Sequence, residues 1–164
     1  SNAVVGTDMT NQGVADALAK HNIDLIRSKV GDKYISRELV ERDLILGAET
    51  SGHIIQRNYS ESGDANIALI QVLTAIQESG ISLKEVSSEI SKYAHNLESI
   101  AVKDKTIIEK EENQKALNAV KEKFPSARIN IRASGTESKI RIMVESKDDK
   151  QNAQVLQEIK SLIT

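Results

Sequence analysis

The chain has 164 residues, of which 39% are hydrophobic and 28% are charged, as in soluble globular proteins with one domain or two small ones. Its formal net charge of -2 argues against a general nucleic-acid binder, and no apolar run approaches the ~20 residues of a membrane span. The absence of cysteine excludes disulfides and thiolate metal sites and fits a cytoplasmic location.

The start of the sequence indicates that the chain is a fragment of a longer protein. Residues 1–3, Ser1-Asn2-Ala3, are typical of the scar left by tag cleavage and are left out of the fold prediction. A strand pattern begins directly at Val4, without any lead-in. We therefore expect the missing part of the protein to lie upstream.

Residues 4–93 alternate short apolar runs with helical patterns, which predicts a partial α/β domain with a mixed or largely parallel sheet. Strands are predicted at residues 4–7, 23–26, 44–47 and from 54. Helices are predicted from residue 10 or 11, at 35–41, at 64–77 and from the capping box at 82–85. The third helix is expected to bury Ile67, Ile70, Ile76 and either Leu73 or Thr74.

Residues 94–164 predict a second, smaller domain of the α+β class. The periodic pattern breaks at residues 93–96, where we place the domain boundary. Strands are predicted at 100–102, 128–132 and 140–144, and helices at 111–124 and about 149–163. Within the last two strands, isoleucine and valine occupy every second position, so Arg132 and Arg141 lie together on the side opposite the core.

The loop after the strand at 128–132 carries the residue types that a phosphate group requires. Arg132 offers a planar fork for two phosphate oxygens, and Arg141 follows in the next strand. Ser134 and Thr136 add hydroxyl donors, and Gly135 is expected to let the backbone bend so that its N–H groups converge. The same residues also suit a plain polar turn with solvated arginines, since Ser-Gly-Thr is common turn chemistry.

A second loop, at residues 47–53, combines a carboxylate, a hydroxyl and an imidazole between two glycines. Glu49 is expected to accept hydrogen bonds from neighbouring sugar hydroxyls, and Ser51 to donate or accept one. His53 is suited to moving a proton near neutral pH. The alternative is a glycine-rich connection between strands that contains one partly buried histidine.

The remaining titratable residues predict no further site. His21 and His95 fall at a helix end and in the linker, and neither is expected to have a function. Asp8, Asp32 and Asp64 are too dispersed to bind magnesium, and Asp64 is placed at a helix amino terminus. No metal or other cofactor is therefore expected in this chain.

Four segments, taken together, resemble the α-D-phosphohexomutase superfamily in the order of that family. Residues 47–53 resemble its sugar-binding loop, GGE-x-SGH, and residues 132–138 resemble its phosphate-binding loop, RPSGTEP. Residues 4–11 and 29–34 resemble its VVGT-x-MSN and KVGDRYV segments. The chain departs from the family where Ala133 and Ser138 replace prolines and where Lys33 replaces arginine.

The resemblance implies a protein of four domains, of which this chain is most of the third, at residues 4–93, and all of the fourth, at 94–164. The fourth domain is then expected to contain a four-stranded antiparallel sheet packed on helices. The family's phosphoserine loop and its magnesium-binding Asp-rich loop belong to the first two domains, and neither motif occurs in this sequence. The chain alone is therefore expected to be inactive and to require its missing N-terminal domains as partners.

The resemblance also implies a reaction for the full-length protein. It is an isomerisation of glucosamine 6-phosphate and glucosamine 1-phosphate through a phosphoserine, a bisphosphate intermediate and Mg2+. Glu49 and Ser51 would bind the sugar ring, with His53 assisting. The nonreacting phosphate would be anchored by Arg132, Ser134, Gly135, Thr136 and Arg141. Two alternatives stay open, namely a relative that acts on mannose or glucose phosphates, and a non-catalytic module that binds anions.

Overall fold

A computed structural model describes residues 2–163 of the chain. The chain divides into two compact units, Ser1–Lys92 and Tyr93–Thr164. Ser1, the first residue of the predicted tag scar, lies outside the described residues. Within residues 2–163, no helix is both long and apolar enough to cross a membrane.

The first unit contains a mixed four-stranded sheet. Its strands are β1 Ala3–Thr7, β2 Asp24–Ser28, β3 Leu46–Ala48 and β4 Ile54–Gln56, in the order β2-β1-β3-β4. Strand β1 runs parallel to both β2 and β3, whereas β4 returns antiparallel to β3. The prediction of a mixed α/β sheet is therefore confirmed, with the first strand beginning one residue earlier than expected.

The first unit also contains four helices, of which the first two lie between strands and the last two follow β4. They are α1 Gln12–Lys20, α2 Asp32–Glu41, α3 Ala65–Ser79 and α4 Leu83–Ser88. The Asp64 side chain accepts hydrogen bonds from the backbone of Asn66 and Ile67, which satisfies two N–H groups at the start of α3. Ser82 and Glu85 form the predicted capping box at the start of α4.

The predicted buried face of α3 is wrong in the middle of the helix. Ile70 and Leu73 are 61% and 55% exposed, and Thr74 is also exposed, whereas Ala68 is buried. Apolar side chains occur around most of this helix, so their spacing does not select one stripe for packing. Ile67 and Ile76 are half-buried, in partial agreement with the prediction.

The second unit contains an antiparallel sheet of three strands. These are β5 Ala94–Ala101, β6 Arg128–Ala133 and β7 Lys139–Ser146, in the order β5-β7-β6. The expectation of a fourth strand is wrong, because the other segments among residues 94–163 form helices and turns. They include a 3-10 turn, Lys105–Glu109, and two helices, α5 Glu111–Lys123 and α6 Asp149–Ile163.

Strand β5 also corrects the predicted break at residues 93–96. The strand begins at Ala94, which pairs with Ser146, and it continues through the segment predicted as a short strand at 100–102. Its polar residues obscure the pattern in the sequence, but His95, Asn96 and Glu98 have side-chain partners in the fold. Asn152 of α6 donates hydrogen bonds to the Asn96 side chain at 2.8 Å and to the Ala94 carbonyl at 2.9 Å.

The core of the second unit forms on one face of this sheet. Ile140, Ile142 and Val144 are fully buried and pack with Val120 of α5 and Ile159 of α6. This confirms the inward face predicted for β7. Strand alternation then places Arg141 and Glu145 on the opposite face.

Glu145 connects all three strands through its carboxylate. Its side chain is 0% exposed, and it lies 3.0 Å from His95 Nδ1 of β5 and 2.9 Å from Arg128 Nε of β6. A buried carboxylate requires such partners, because burial of an unpaired charge is costly. His95 therefore belongs to the sheet and not to a linker.

Gly47 gives a direct test of packing in the first unit. A Cβ atom at this position would lie 2.3 Å from Ile35 Cγ2, inside the core, and that side chain is itself 1% exposed. We expect Gly47→Ala to lower the free energy of unfolding by about 1–3 kcal/mol, because the core must shift to accept the methyl group.

Chemical denaturation of this variant should be compared with that of Gly63→Ala in the same unit. A Cβ atom at Gly63 would lie at an ordinary 3.5 Å from its nearest neighbours. Equal stabilities of the two variants would contradict the assigned packing of Gly47 against Ile35.

Candidate functional site

The loop between β3 and β4 is a tight turn that brings Glu49, Ser51 and His53 together. The Glu49 backbone N–H donates to the His53 carbonyl at 2.9 Å, and the Gly52 N–H donates to the Glu49 carbonyl at 3.1 Å. Gly52 has a φ of 94°, in the left-handed region that favours glycine. The turn therefore depends on this glycine, and it places residues 49, 51 and 53 around a single point.

The side chains of this turn form a hydrogen-bonded row. The Ser51 hydroxyl donates to Glu49 Oε2 at 3.0 Å and lies 3.1 Å from His53 Nδ1. Because the hydroxyl has only one proton to donate, His53 Nδ1 carries the proton that Ser51 accepts. Ser51 and His53 are exposed and Glu49 is half-buried, so all three are open to a ligand.

A second segment of the first unit fixes the Glu49 carboxylate. Gly31, which precedes α2 and has a φ of 129°, donates its backbone N–H to Glu49 Oε1 at 2.6 Å. The two carboxylate oxygens therefore have different partners, Gly31 and Ser51. Sequence reasoning placed Gly31 only in the family-like segment at residues 29–34, because nothing local indicates a bond across 18 residues.

The loop between β6 and β7 gathers all five residues predicted to bind phosphate. Arg132 and Arg141 are paired neighbours on these two strands. The Ser134 N–H donates to the Lys139 carbonyl at 2.8 Å, and the Ser134 hydroxyl accepts from the Glu137 N–H at 3.3 Å. Ser134 is thus 5% exposed, whereas Gly135 and Thr136 are exposed.

The backbone at Gly135 does not adopt the special conformation that only glycine allows. Its φ lies outside the left-handed region, so the bend of the loop does not require a glycine. A Cβ atom at this position would have no neighbour within 4 Å. Glycine here leaves open space beside the backbone N–H groups, which allows a ligand to approach them closely.

Positive charge collects at this end of the sheet. Arg132 lies directly opposite Arg141, a cross-strand pair of like charges that destabilises a sheet. Lys139 shares their face of β7, and the Lys105 ammonium group donates to the Ser134 carbonyl at 2.9 Å. Such an accumulation of cations favours an anionic ligand.

Glu137 is the carboxylate nearest to these cations. Its Oε1 lies 2.6 Å from Lys139 Nζ, and its Oε2 lies 3.6 Å from Arg141 Nη2. The hydrogen bond and charge of Lys139, followed by the charge of Arg141, hold the pKa of Glu137 below its usual value. The carboxylate is therefore ionised at neutral pH and neutralises part of the cluster.

Sequence reasoning missed two cations of this loop, Lys105 and Lys139. Lys139 stands two residues before Arg141, so the alternation of β7 was a signal for it. Lys105 is 29 residues from Ser134 and gives no local signal. Among residues 2–163, no group of three or more His, Asp or Glu side chains is arranged so that it could hold a metal ion.

The sequence matches one protein family over nearly its whole length. Residues 1–93 match the alpha/beta/alpha domain III of phosphoglucomutase/phosphomannomutase, and residues 97–162 match the C-terminal domain of the same enzymes. The chain therefore belongs to the phosphoglucomutase/phosphomannomutase family.

Its relatives include curated phosphoglucosamine mutases. That of Carboxydothermus hydrogenoformans is 37% identical over 99% of this chain, and that of Thermodesulfovibrio yellowstonii is 38% identical over 98%. In both cases this chain spans only 37% of the length of the relative.

Solved structures show the same fold. An N-acetylglucosamine-phosphate mutase in its substrate complex has a TM-score of 0.78 at 19% identity, over 99% of this chain and 38% of that protein. The Aspergillus fumigatus N-acetylphosphoglucosamine mutase, in complex with GlcNAc-6P and magnesium, has a TM-score of 0.78 at 15% identity, over 99% of this chain and 41% of that one.

Removal of Lys139 should release Glu137 from its strongest partner. We expect Lys139→Met to raise the pKa of the Glu137 carboxyl toward its ordinary value, because the hydrogen bond and charge of Lys139 lower it most. Since the folded pKa lies below the unfolded one, Glu137 stabilises the fold near neutral pH, and this contribution is lost as the pH falls through the folded pKa.

Carboxyl carbon shifts followed by NMR during acid titration measure this pKa. Lys115→Met, which removes a lysine paired with Glu111 on α5, serves as the control. An unchanged Glu137 pKa in the Lys139 variant would contradict the ion pair.

Proposed function

We propose that this chain is the substrate-binding C-terminal part of a phosphoglucosamine mutase. The longer protein would interconvert glucosamine 6-phosphate and glucosamine 1-phosphate. The observation that carries this proposal is the facing pair Arg132 and Arg141 beside a loop of small polar residues. The names of the curated relatives support the choice of an amino sugar.

The β6–β7 loop is suited to anchor the phosphate that does not react. Arg132 and Arg141 offer planar forks that pair with phosphate oxygens, and a dianion between them removes the repulsion of the two guanidinium groups. The exposed Thr136 hydroxyl adds a hydrogen-bond donor, and the open space at Gly135 lets a ligand approach the backbone N–H groups of the loop. Ser134 would support the loop and not contact the ligand through its side chain, because its buried hydroxyl accepts a hydrogen bond from the Glu137 N–H.

The β3–β4 turn is suited to bind the hydroxyls of the sugar. One Glu49 oxygen is held by Gly31, so the carboxylate is fixed before any ligand arrives. Its other oxygen holds only the exposed Ser51 hydroxyl, which a sugar hydroxyl can replace. His53, held at Nδ1 by Ser51, presents Nε2 as a proton acceptor.

These roles fit a mutase that works through a bisphosphate. A phosphoserine of the longer protein transfers its phosphoryl group to the free hydroxyl of the sugar phosphate. The bisphosphate then turns around and returns its other phosphoryl group to the serine. Each half of this cycle needs an anchor for the phosphate that is not being transferred. Such an anchor places the reacting group of the sugar correctly and so lowers the entropic part of the barrier.

The catalytic serine and the magnesium site are proposed to lie outside this chain. Magnesium, when bound, would stabilise the negative charge of the phosphoryl group in transfer. By itself, the chain would therefore bind a phosphosugar without turning it over.

The substrate is distinguished by an assay of the longer protein. Glucosamine 6-phosphate, mannose 6-phosphate and glucose 6-phosphate are supplied under identical conditions, and the highest kcat/KM is expected for the amino sugar. A preference for either neutral sugar would identify a phosphomannomutase or phosphoglucomutase. A natural reading frame without a serine loop and an Asp-rich loop would instead support a non-catalytic anion-binding module.

Arg132 tests the anchor itself. We expect Arg132→Met to weaken binding of glucosamine 6-phosphate to this chain by about tenfold or more, because the variant loses a charge-assisted pair of hydrogen bonds. Phosphorus NMR of the ligand during titration with protein measures the change.

Arg37→Met is the matched control, since Arg37 is an exposed arginine on α2 of the first unit. Equal loss of binding in both variants would attribute the effect to net charge and would contradict an anchor at Arg132.

A further inference from the structure

Lys105 lies on a turn that is held in place from several sides. The Asp104 side chain caps the 3-10 turn by accepting from the Thr106 N–H at 2.9 Å. Ile108, in the same turn, is buried in the core of the second unit. The Asn113 side chain, from α5, donates to the Ile107 carbonyl at 2.8 Å. The backbone that carries Lys105 is therefore fixed independently of the β6–β7 loop.

The segment at residues 102–105 contacts both ends of the β6–β7 loop. The Val102 N–H donates to the Ser138 carbonyl at 3.0 Å, where the loop ends. The Lys105 ammonium group donates to the Ser134 carbonyl at 2.9 Å, where the loop begins. The four exposed residues 135–138 thus lie between two hydrogen bonds from one fixed segment.

The bond to Ser134 has a consequence for Gly135. The two residues share one peptide group, which is planar and trans, so the Ser134 carbonyl and the Gly135 N–H point in opposite directions. When Lys105 holds the carbonyl, it also fixes the direction of that N–H, away from its own ammonium group. A rotation of this peptide would cost a charge-assisted hydrogen bond.

We propose that Lys105 is a positioning residue of the phosphate anchor, and that it acts by aiming the Gly135 N–H at the ligand. The inference rests on the proposed function, because it assumes that a phosphate group binds at this loop. It explains why a lysine distant in sequence reaches the backbone of Ser134.

A purely electrostatic role makes a different prediction. If Lys105 only adds positive charge, another lysine of the same segment should matter about as much. Lys103 lies two residues away and is exposed, so Lys103→Met removes the same charge without removing the bond to Ser134. Lys105→Met keeps the apolar stem of the side chain and removes the donor, whereas Lys105→Arg restores both charge and donor.

The first measurement uses the chain without ligand. Carbonyl and amide NMR shifts are recorded for Ser134 and Gly135 in the wild type and in the three variants. Lys105→Met should move both signals, Lys103→Met should move neither, and Lys105→Arg should restore most of the wild-type values. The rest of the spectrum reports whether each variant is folded.

The second measurement titrates the same four proteins with inorganic phosphate and with glucosamine 6-phosphate. Lys105→Met should weaken binding of both by about tenfold, the loss expected from one misdirected charge-assisted contact. Lys103→Met should weaken it much less, and Lys105→Arg should recover most of the affinity.

The two proposals fail in different ways. Wild-type protein that binds neither ligand would overturn the proposed function, and the positioning role with it. Wild-type binding together with unmoved Ser134 and Gly135 signals in Lys105→Met would overturn only the positioning role. Equal losses of affinity in Lys103→Met and Lys105→Met would also overturn the positioning role and leave the anchor intact.

Discussion

The pairing of Arg132 with Arg141 across β6 and β7 is the constraint on which the proposed phosphate site depends. Two guanidinium groups face each other there, although like charges opposite one another destabilise a sheet. The register is imposed from the other face, where Ile140 and Ile142 are fully buried against the helices. A shift of one residue would expose that core, so the sheet keeps the arginines together.

The first unit prepares its turn by a different route. The shape of the β3–β4 turn depends on backbone conformation, because Gly52 and Gly31 both occupy the left-handed region of φ. Gly52 closes the turn, and Gly31 supplies the N–H that holds Glu49. The Glu49 carboxylate is therefore oriented before a ligand binds, which reduces the conformational entropy lost on binding.

Sequence patterns predicted the elements that have a strong period or a clear cap. The alternating β7 and the capped starts of α3 and α4 are examples. The pattern failed for α3, whose apolar residues surround the helix, and for β5, whose polar residues are satisfied only by distant partners. The expected fourth strand of the second unit came from family resemblance alone and is absent from residues 94–163.

Within the site, the sequence indicated the residues but not their partners. Arg132 and Arg141 followed from strand alternation, and Glu49, Ser51 and His53 followed from one short loop. The bonds from Gly31 to Glu49 and from Lys105 to Ser134 span 18 and 29 residues. Contacts of that kind depend on how strands and turns are brought together, which no local pattern encodes.

The central claim is that residues 134–136 contact the phosphate group of a sugar phosphate. Amide chemical-shift mapping of this chain with millimolar glucosamine 6-phosphate tests it most directly. We expect saturable shifts at Ser134, Gly135 and Thr136, and a further set around Ser51. A folded sample in which the amides of residues 134–136 do not move would contradict it.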